Sequence, residues 1–257
     1  PAESNTIHPP YSLQLKAIAL GIACAVGIHP LQVAAQDKTA VIEELVVWGR
    51  SLQLLGSADS ASQGVVGYAD FSTRPLARVG ELVEVVPGMI ATQHSGPGKA
   101  NQYFLRGFNL DHGSDFSTFF DGMPVNFRTH AHAQGYMDLN FIIPEIIERV
   151  DFKKGPYFAN TGDFSLAGTS SMKTYDTLEK GFIEVTAGSG DEIRVVVADS
   201  FSTEQGSLLY ALEHQQTNGM FVLDQDVRKY NGLLKYTGEI GGIPSQLTLT
   251  AYDSEWV

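Results

Sequence analysis

The last third of this 257-residue chain sets the strongest limit on what it can fold into. Five segments, "KGFIEVTAG", "EIRVVVADSFS", "GSLLYALEHQQ", "KYNGLLKYTGE" and "SQLTLTAYDSEW", follow one another from Lys180, separated by Gly, Asp and Asn. Within them apolar and polar residues alternate: Ile183, Val185 and Ala187 against Glu184 and Thr186, then Leu247, Leu249 and Ala251 against Thr248 and Thr250. Successive side chains of a strand point to opposite faces, so the pattern predicts strands with one apolar and one polar face. Segments of about 9 to 12 residues fit tilted transmembrane strands with lipid on one side and a polar lumen on the other. A soluble sandwich gives the same alternation, and the pattern alone admits both. Five strands cannot close a polar-lumened barrel, and an open edge in lipid would leave backbone groups unsatisfied. The strand pattern is still running at Trp256 and Val257, so the sequence reads as the front of a longer protein.

Ahead of the strands the chain alternates short helical and extended stretches. "PLARVGELVEVVPGMIATQ" brings Leu76, Val79, Leu82 and Val83 to one face of a short amphipathic helix, ended by Pro87 and Gly88 and followed by a strand. "NQYFLRGFN" and "DFSTFFDGMPVN" read as strands around turns, Asp121 and Gly122 forming one of them, and "FIIPEIIERVDFKKGP" as a short helix feeding another strand. Phe116, Phe119 and Phe120 have the spacing of strand packing, while Tyr236, Tyr252 and Trp256 fit the aromatic belts of membrane barrels.

The N-terminal region has a different character. "AIALGIACAVGI", after Lys16, is an apolar run too short for a spanning helix, which needs roughly 20 residues. With Val33 and Ala35 beyond it, the run predicts a secretory signal cut after Ala35, and Pro1 makes residues 1–35 look like a signal with an over-extended start. The sole cysteine, Cys24, would leave with it, so the mature chain would owe nothing to disulfides. Residues 36–72 hold the β-prone stretch Val41 to Trp48 and then drift through small residues, as a tether would. A net charge of -12 with no basic run excludes a phosphate-tracking nucleic-acid binder.

Taken in order, "EELVVWGR", "LVEVVPGMIATQ", "YFLRGF", "FFDGMPVN", "IIERVDFKKGP", "GDFSLAGT" and the strands resemble the TonB-dependent outer-membrane receptors of Gram-negative bacteria. The resemblance implies an α+β plug domain over 73–178, followed from 179 to 257 by the first strands of an antiparallel transmembrane β-barrel, 22-stranded in the full-length protein. It implies that Glu43, Glu44, Leu45, Val46 and Val47 form a Ton box, which the TonB protein captures by strand addition. Arg106, Gly107, Arg149 and Lys154 would face the barrel wall. Such a protein sits in outer-membrane lipid and performs no bond chemistry. It takes up a scarce solute, such as a metal chelate, siderophore, haem or cobalamin, with energy passed on by TonB, ExbB and ExbD, and needs no resident cofactor.

In "NFRTHAHAQGYMDLNF", His130 and His132 fall on one face if the segment is extended. Two imidazoles so placed suit a zinc ion, yet a metal site needs at least a third protein ligand, for which His94, His112 and Asp138 are candidates. By the resemblance, the loops holding His94 and His130 to Tyr136 are apices of the plug that touch the incoming solute, while His112 lies nearer the wall or the periplasmic side. The expected solute contacts are therefore His94, His130, His132, Gln134 and Tyr136, with metal ligation by His130 and His132 as the narrower alternative. No HExxH or GxSxG pattern points to a hydrolase. The competing reading is an exported soluble β-rich binding module that holds a metal through His130 and His132.

Overall fold

The computed structural model describes residues 60–74, 76, 78–93 and 98–257. The expected signal, the Ton box residues and His94 lie outside them. In chain order the plug elements are β1 (Gln63–Gly67), α1 (Tyr68–Phe71), β2 (Met89–Thr92), β3 (Gln102–Leu105), β4 (Phe108–Asn109), β5 (Phe116–Phe120), β6 (Met123–Pro124), β7 (Ile147–Lys154) and β8 (Gly168–Thr174). One sheet has the order β1-β7-β8-β5-β6, with only β5 and β8 parallel, and β2-β3-β4 form a second.

Local chemistry explains most of these elements. Arg106 and Gly107 (φ 54° and 81°) join β3 to β4, and Asp121 and Gly122 (φ 47° and 83°) join β5 to β6. Positive φ at both positions is what a two-residue hairpin of this twist demands, and Asp-Gly supplies it at low cost. Asp121 also has a second role: its carboxylate accepts from the Thr174 amide at 3.0 Å and the Thr174 hydroxyl at 2.6 Å, tying the hairpin to the end of β8.

Two expectations are corrected here. The helix after Pro75 is a 3-10 helix, Val79–Val85, in which residues three apart eclipse, so Leu82 and Val85 bury together, as do Val83 and Val86. Gly80 and four valines within and beside so short a segment leave little α-helical preference to resist that tightening. The tether expected over 36–72 also ends early, because β1 pairs with β7 from Gln63↔Lys153 to Gly67↔Arg149. That pairing joins residues far apart in sequence, and nothing local in "QGVVG" announces it.

The remaining strands, β9 (Phe182–Ala187), β10 (Ile193–Thr203), β11 (Gly206–Thr217), β12 (Val227–Ile240) and β13 (Ile243–Glu255), form one antiparallel meander. Residues 204–205 and 241–242 make short turns at one end, and residues 188–192 and 218–226 make longer loops at the other. Cross-strand partners share a face, so Val196, Glu213 and Asn231 line one side with Ala198, Ala211 and Leu233. The opposite side carries Ile183, Val185, Leu212, Leu234, Leu247 and Leu249, all strongly exposed. Tyr236 belongs to that outer side, as a belt residue should. Tyr252 does not, since it pairs with the inward Asn231, and the Trp256 ring lies over Gly98 of the plug. Both were expected in the belt; strand parity turns them inward.

The plug rests on the inner side. Val196, Ala198, Leu209, Ala211 and Leu233 join one apolar cluster with Leu82, Tyr103, Phe116, Phe120, Ile146 and Met172 of the plug. Charged groups complete the contact. Arg194 grips both oxygens of Glu145, at 2.5 and 2.9 Å, and reaches Glu213 at 2.5 Å. Lys229 meets Glu213 at 3.2 Å, and the Asn231 amide donates to Glu213 and to the Asn140 carbonyl. Nearer the short turns, the Lys235 ammonium is buried and bonds Asp176 at 2.7 Å, the Thr174 hydroxyl at 3.0 Å and the Thr174 carbonyl at 3.1 Å.

These contacts differ from those expected. Arg149 bonds Glu148 and Asp151 of its own strand, Lys154 lies over the Phe152 ring, and Arg106 is exposed in its turn with Gly107. The five strands are instead met by Glu145, Asn140, Thr174 and Asp176. A strand's sequence does not reveal which distant cation will face its carboxylate.

Burial alone would raise the Asp176 carboxyl, but the Lys235 bond and charge prevail and hold it below the usual value. A depressed carboxyl contributes stability at pH above its unfolded value and loses it as pH falls through the folded one. Replacing Lys235 by Met should therefore cost about 3 kcal/mol, because Asp121 and Asp176 lose their buried counter-ion. Thermal unfolding of the full-length protein checks this, and Asp176→Asn should blunt the acid-side loss of stability below about pH 4.

Candidate functional site

Asn126 anchors the segment that follows it. Its Oδ1 accepts from the Thr118 amide at 2.7 Å, and its Nδ2 lies within hydrogen-bonding distance of the carbonyls of Gly113, Phe116 and Gly135 at 2.9 to 3.1 Å. Just beyond, the Phe127 amide donates to the Tyr136 carbonyl at 2.9 Å and the Gly135 amide to the Phe127 carbonyl at 2.7 Å. These bonds close residues 128–135 into a loop. Gly135 has φ +82°, and a Cβ there would approach the Phe164 ring to 2.7 Å, so only glycine fits.

The loop gathers its aromatic and imidazole rings by closure rather than by strand alternation, since the stretch from Arg128 to Gly135 is irregular. The same-face argument for His130 and His132 thus does not apply. Their rings nevertheless lie 6.1 Å apart, and the His132 amide donates to His130 Nδ1 at 3.2 Å. His130 stacks on Tyr136 at 3.8 Å with 16° between the planes. The Tyr136 hydroxyl accepts from the Ala100 amide at 2.9 Å, and burial pushes its pKa upward, so the phenol stays neutral. His130, His132 and Gln134 are exposed and Tyr136 is buried beneath them.

His112, expected elsewhere, belongs to this cluster. Its ring meets His132 edge-on at 4.6 Å and Tyr136 at 5.4 Å, and its Nδ1 lies 3.1 Å from the carbonyls of Ala100 and Asn101, to which it must donate. The link is the Met137 amide, which donates to the His112 carbonyl at 2.8 Å. Asp111 and Gly113, both at positive φ, mark a turn that the sequence could suggest, but not its partner.

The narrower metal reading gains no third ligand. Among the described residues no three His, Cys, Asp or Glu side chains converge to hold a metal ion. Asp138, weighed for that role, accepts instead from the Asn140 amide and side chain at 2.9 and 2.8 Å. Burial raises its pKa, against the Asn140 bonds and the charge of Lys229.

Contacts to the sheet fix the loop's height. Asn140 bonds Asn231, and Gly98, two residues before Ala100, lies under Trp256; both partners are near the long-loop end of their strands. Asn126→Ala should leave several buried groups unpaired and cost about 1–3 kcal/mol. Hydrogen exchange of the full-length protein should then show the Phe127 and Gly135 amides opening faster than those of β7.

Residues 57–169 match the family model of the TonB-dependent receptor plug domain. Over 212 residues the chain is 25% identical to the vitamin B12 transporter BtuB of Vibrio vulnificus (strain CMCP6), covering 80% of this chain and 33% of that protein. The fold is similar to the copper transporter OprC (TM-score 0.57, 19% identity, 77% of this chain and 31% of that one). It is likewise similar to the Serratia marcescens hemophore receptor HasR, in complex with its hemophore HasA and heme (TM-score 0.57, 19% identity, 76% and 31%). The chain thus spans about a third of the length of the relatives it matches. Residues 57–169 thus carry the TonB-dependent receptor plug domain, and the chain as a whole, with that plug seated on antiparallel strands, is similar to TonB-dependent transporters and receptors.

Proposed function

We propose that this chain is the plug and the first barrel strands of an outer-membrane transporter that captures a scarce solute and admits it when TonB pulls on the plug. The observation that carries this reading is the two-sided sheet. Ile183, Val185, Leu247 and Leu249 point away from the plug and are exposed, which suits lipid, while Arg194, Lys229 and Lys235 point at it. A soluble binding module would leave that apolar side against water, which argues against the competing reading. Membrane barrels keep short turns on the periplasmic side and longer loops outside, so the end holding 188–192 and 218–226 is taken as the outer one. The loop with His130, His132, Gln134 and Tyr136 then faces the incoming solute; His94, assigned to the same role by the resemblance, lies outside the described residues. The relatives carry vitamin B12, copper, or siderophore and haem cargo by their names, and a metal-bearing solute is the class they favour for this chain. Glu43, Glu44, Leu45, Val46 and Val47 would be the strand that TonB captures, with ExbB and ExbD supplying the energy.

The full-length protein should stay with the membrane through salt and carbonate washing and migrate differently on a gel before and after boiling. Release by carbonate would instead support the soluble module. Val46→Pro removes a main-chain donor from the captured strand, so solute uptake should fall to the level of a strain lacking TonB while surface binding is kept. Unchanged uptake would remove the assigned Ton box.

A further inference from the structure

Hydrogen bonding inside the 128–135 loop narrows the chemistry of what it can bind. The His132 amide donates to His130 Nδ1 at 3.2 Å, and a ring nitrogen that accepts carries no proton. Neutral His130 therefore holds its proton on Nε2. The stack on Tyr136 at 3.8 Å and 16° fixes the ring plane, and the Ala100 amide fixes Tyr136 in turn. His130 is exposed, so it presents an N–H donor rather than a lone pair. A metal on Nδ1 would displace the His132 amide. A metal on Nε2 would drive the proton to Nδ1, against that same N–H.

Two residues earlier stands Arg128, exposed, with no ion pair or hydrogen bond holding its guanidinium among the described residues. The chain has 29 acidic and 17 basic residues, and Arg149, Arg194, Lys229 and Lys235 are paired with carboxylates. Asp138 is held by Asn140, and Asp111 lies 3.7 Å from His112 Nε2.

We propose that this loop is an oxyanion receptor, in which the His130 Nε2–H and the Arg128 guanidinium donate to a carboxylate or phosphate carried by the solute. The assignment rests on the reading of the loop as solute-facing. A guanidinium offers a planar fork to either oxyanion, and an imidazole N–H adds a second direction of approach. The bare cation is disfavoured at the same position, because the donor that welcomes an anion repels a metal.

The test uses the full-length receptor in detergent, labelled with nitrogen-15 histidine, and titrated with citrate, inorganic phosphate and zinc ion in turn. The His130 signal, assigned by its loss in His130→Gln, should show the Nε2-protonated tautomer and shift saturably with citrate or with phosphate. Saturation by citrate alone identifies a carboxylate, and by phosphate alone a phosphate ester. Arg128→Gln and His130→Leu should each weaken anion binding about tenfold, the worth of a hydrogen bond to a charged group. His130→Gln keeps an N–H donor but ligates metal poorly, so it should retain binding within about threefold. The proposal is overturned if neither anion saturates, or if zinc alone saturates the loop and His130→Gln abolishes it. Should the anions fail while His130→Leu still lowers nutrient uptake in cells, the solute-facing reading stands without the oxyanion. Should an anion bind while uptake is unchanged in both variants, the solute-facing reading falls instead.

Discussion

Arg194 stands where the two halves of this molecule meet. It projects from β10 between a plug carboxylate, Glu145, and a barrel carboxylate, Glu213, which also holds Lys229 and Asn231. Bringing such charges out of water costs several kcal/mol per ion unless each finds partners of good geometry. The cluster is therefore stable only with the plug in place, and removing either side would leave charges stranded. Apolar contacts around it, from Ile146 and Leu82 to Val196 and Leu209, supply non-directional adhesion. The charges supply register.

That division of labour fixes one seat for the plug on these strands. An interface held by hydrocarbon alone would be tight but indifferent to small sliding, whereas bidentate contacts such as Arg194 with Glu145 define one seat. Lys235 marks a second fixed point near the exit from the plug, since it binds the carbonyls of Thr174 and Tyr175 where the chain leaves β8 for β9. The histidine loop lies toward the other end of the same strands. From it, Tyr136, Asp138 and Asn140 lead along the backbone to Asn231 and so to Glu213. The histidine loop and the contact with the strands thus share one short stretch of chain.

Much of the architecture was legible because it is written in local periodicity. Alternation from Phe182 to Glu255 predicts the strands and their apolar outer set, and Asp121-Gly122 predicts a hairpin, since both depend only on neighbouring residues. The readings that went astray needed distant partners. β1 is a strand through its pairing with β7, and Tyr252 faces inward through its register with β12. Arg149 was expected at the wall, and among the described residues it meets Glu148 and Asp151 of its own strand.

The site divides in the same way. By itself the sequence determined that His130 and His132 stand two apart between strand-like segments, and the resemblance put them on a loop. Only the tertiary structure decided that His112 sits beneath it, that Asn126 binds four backbone groups around it, and that His130 accepts through Nδ1. The physical reason is that a side chain's hydrogen-bonding role is set by whichever groups folding brings within about 3 Å, and most of those are remote in the chain.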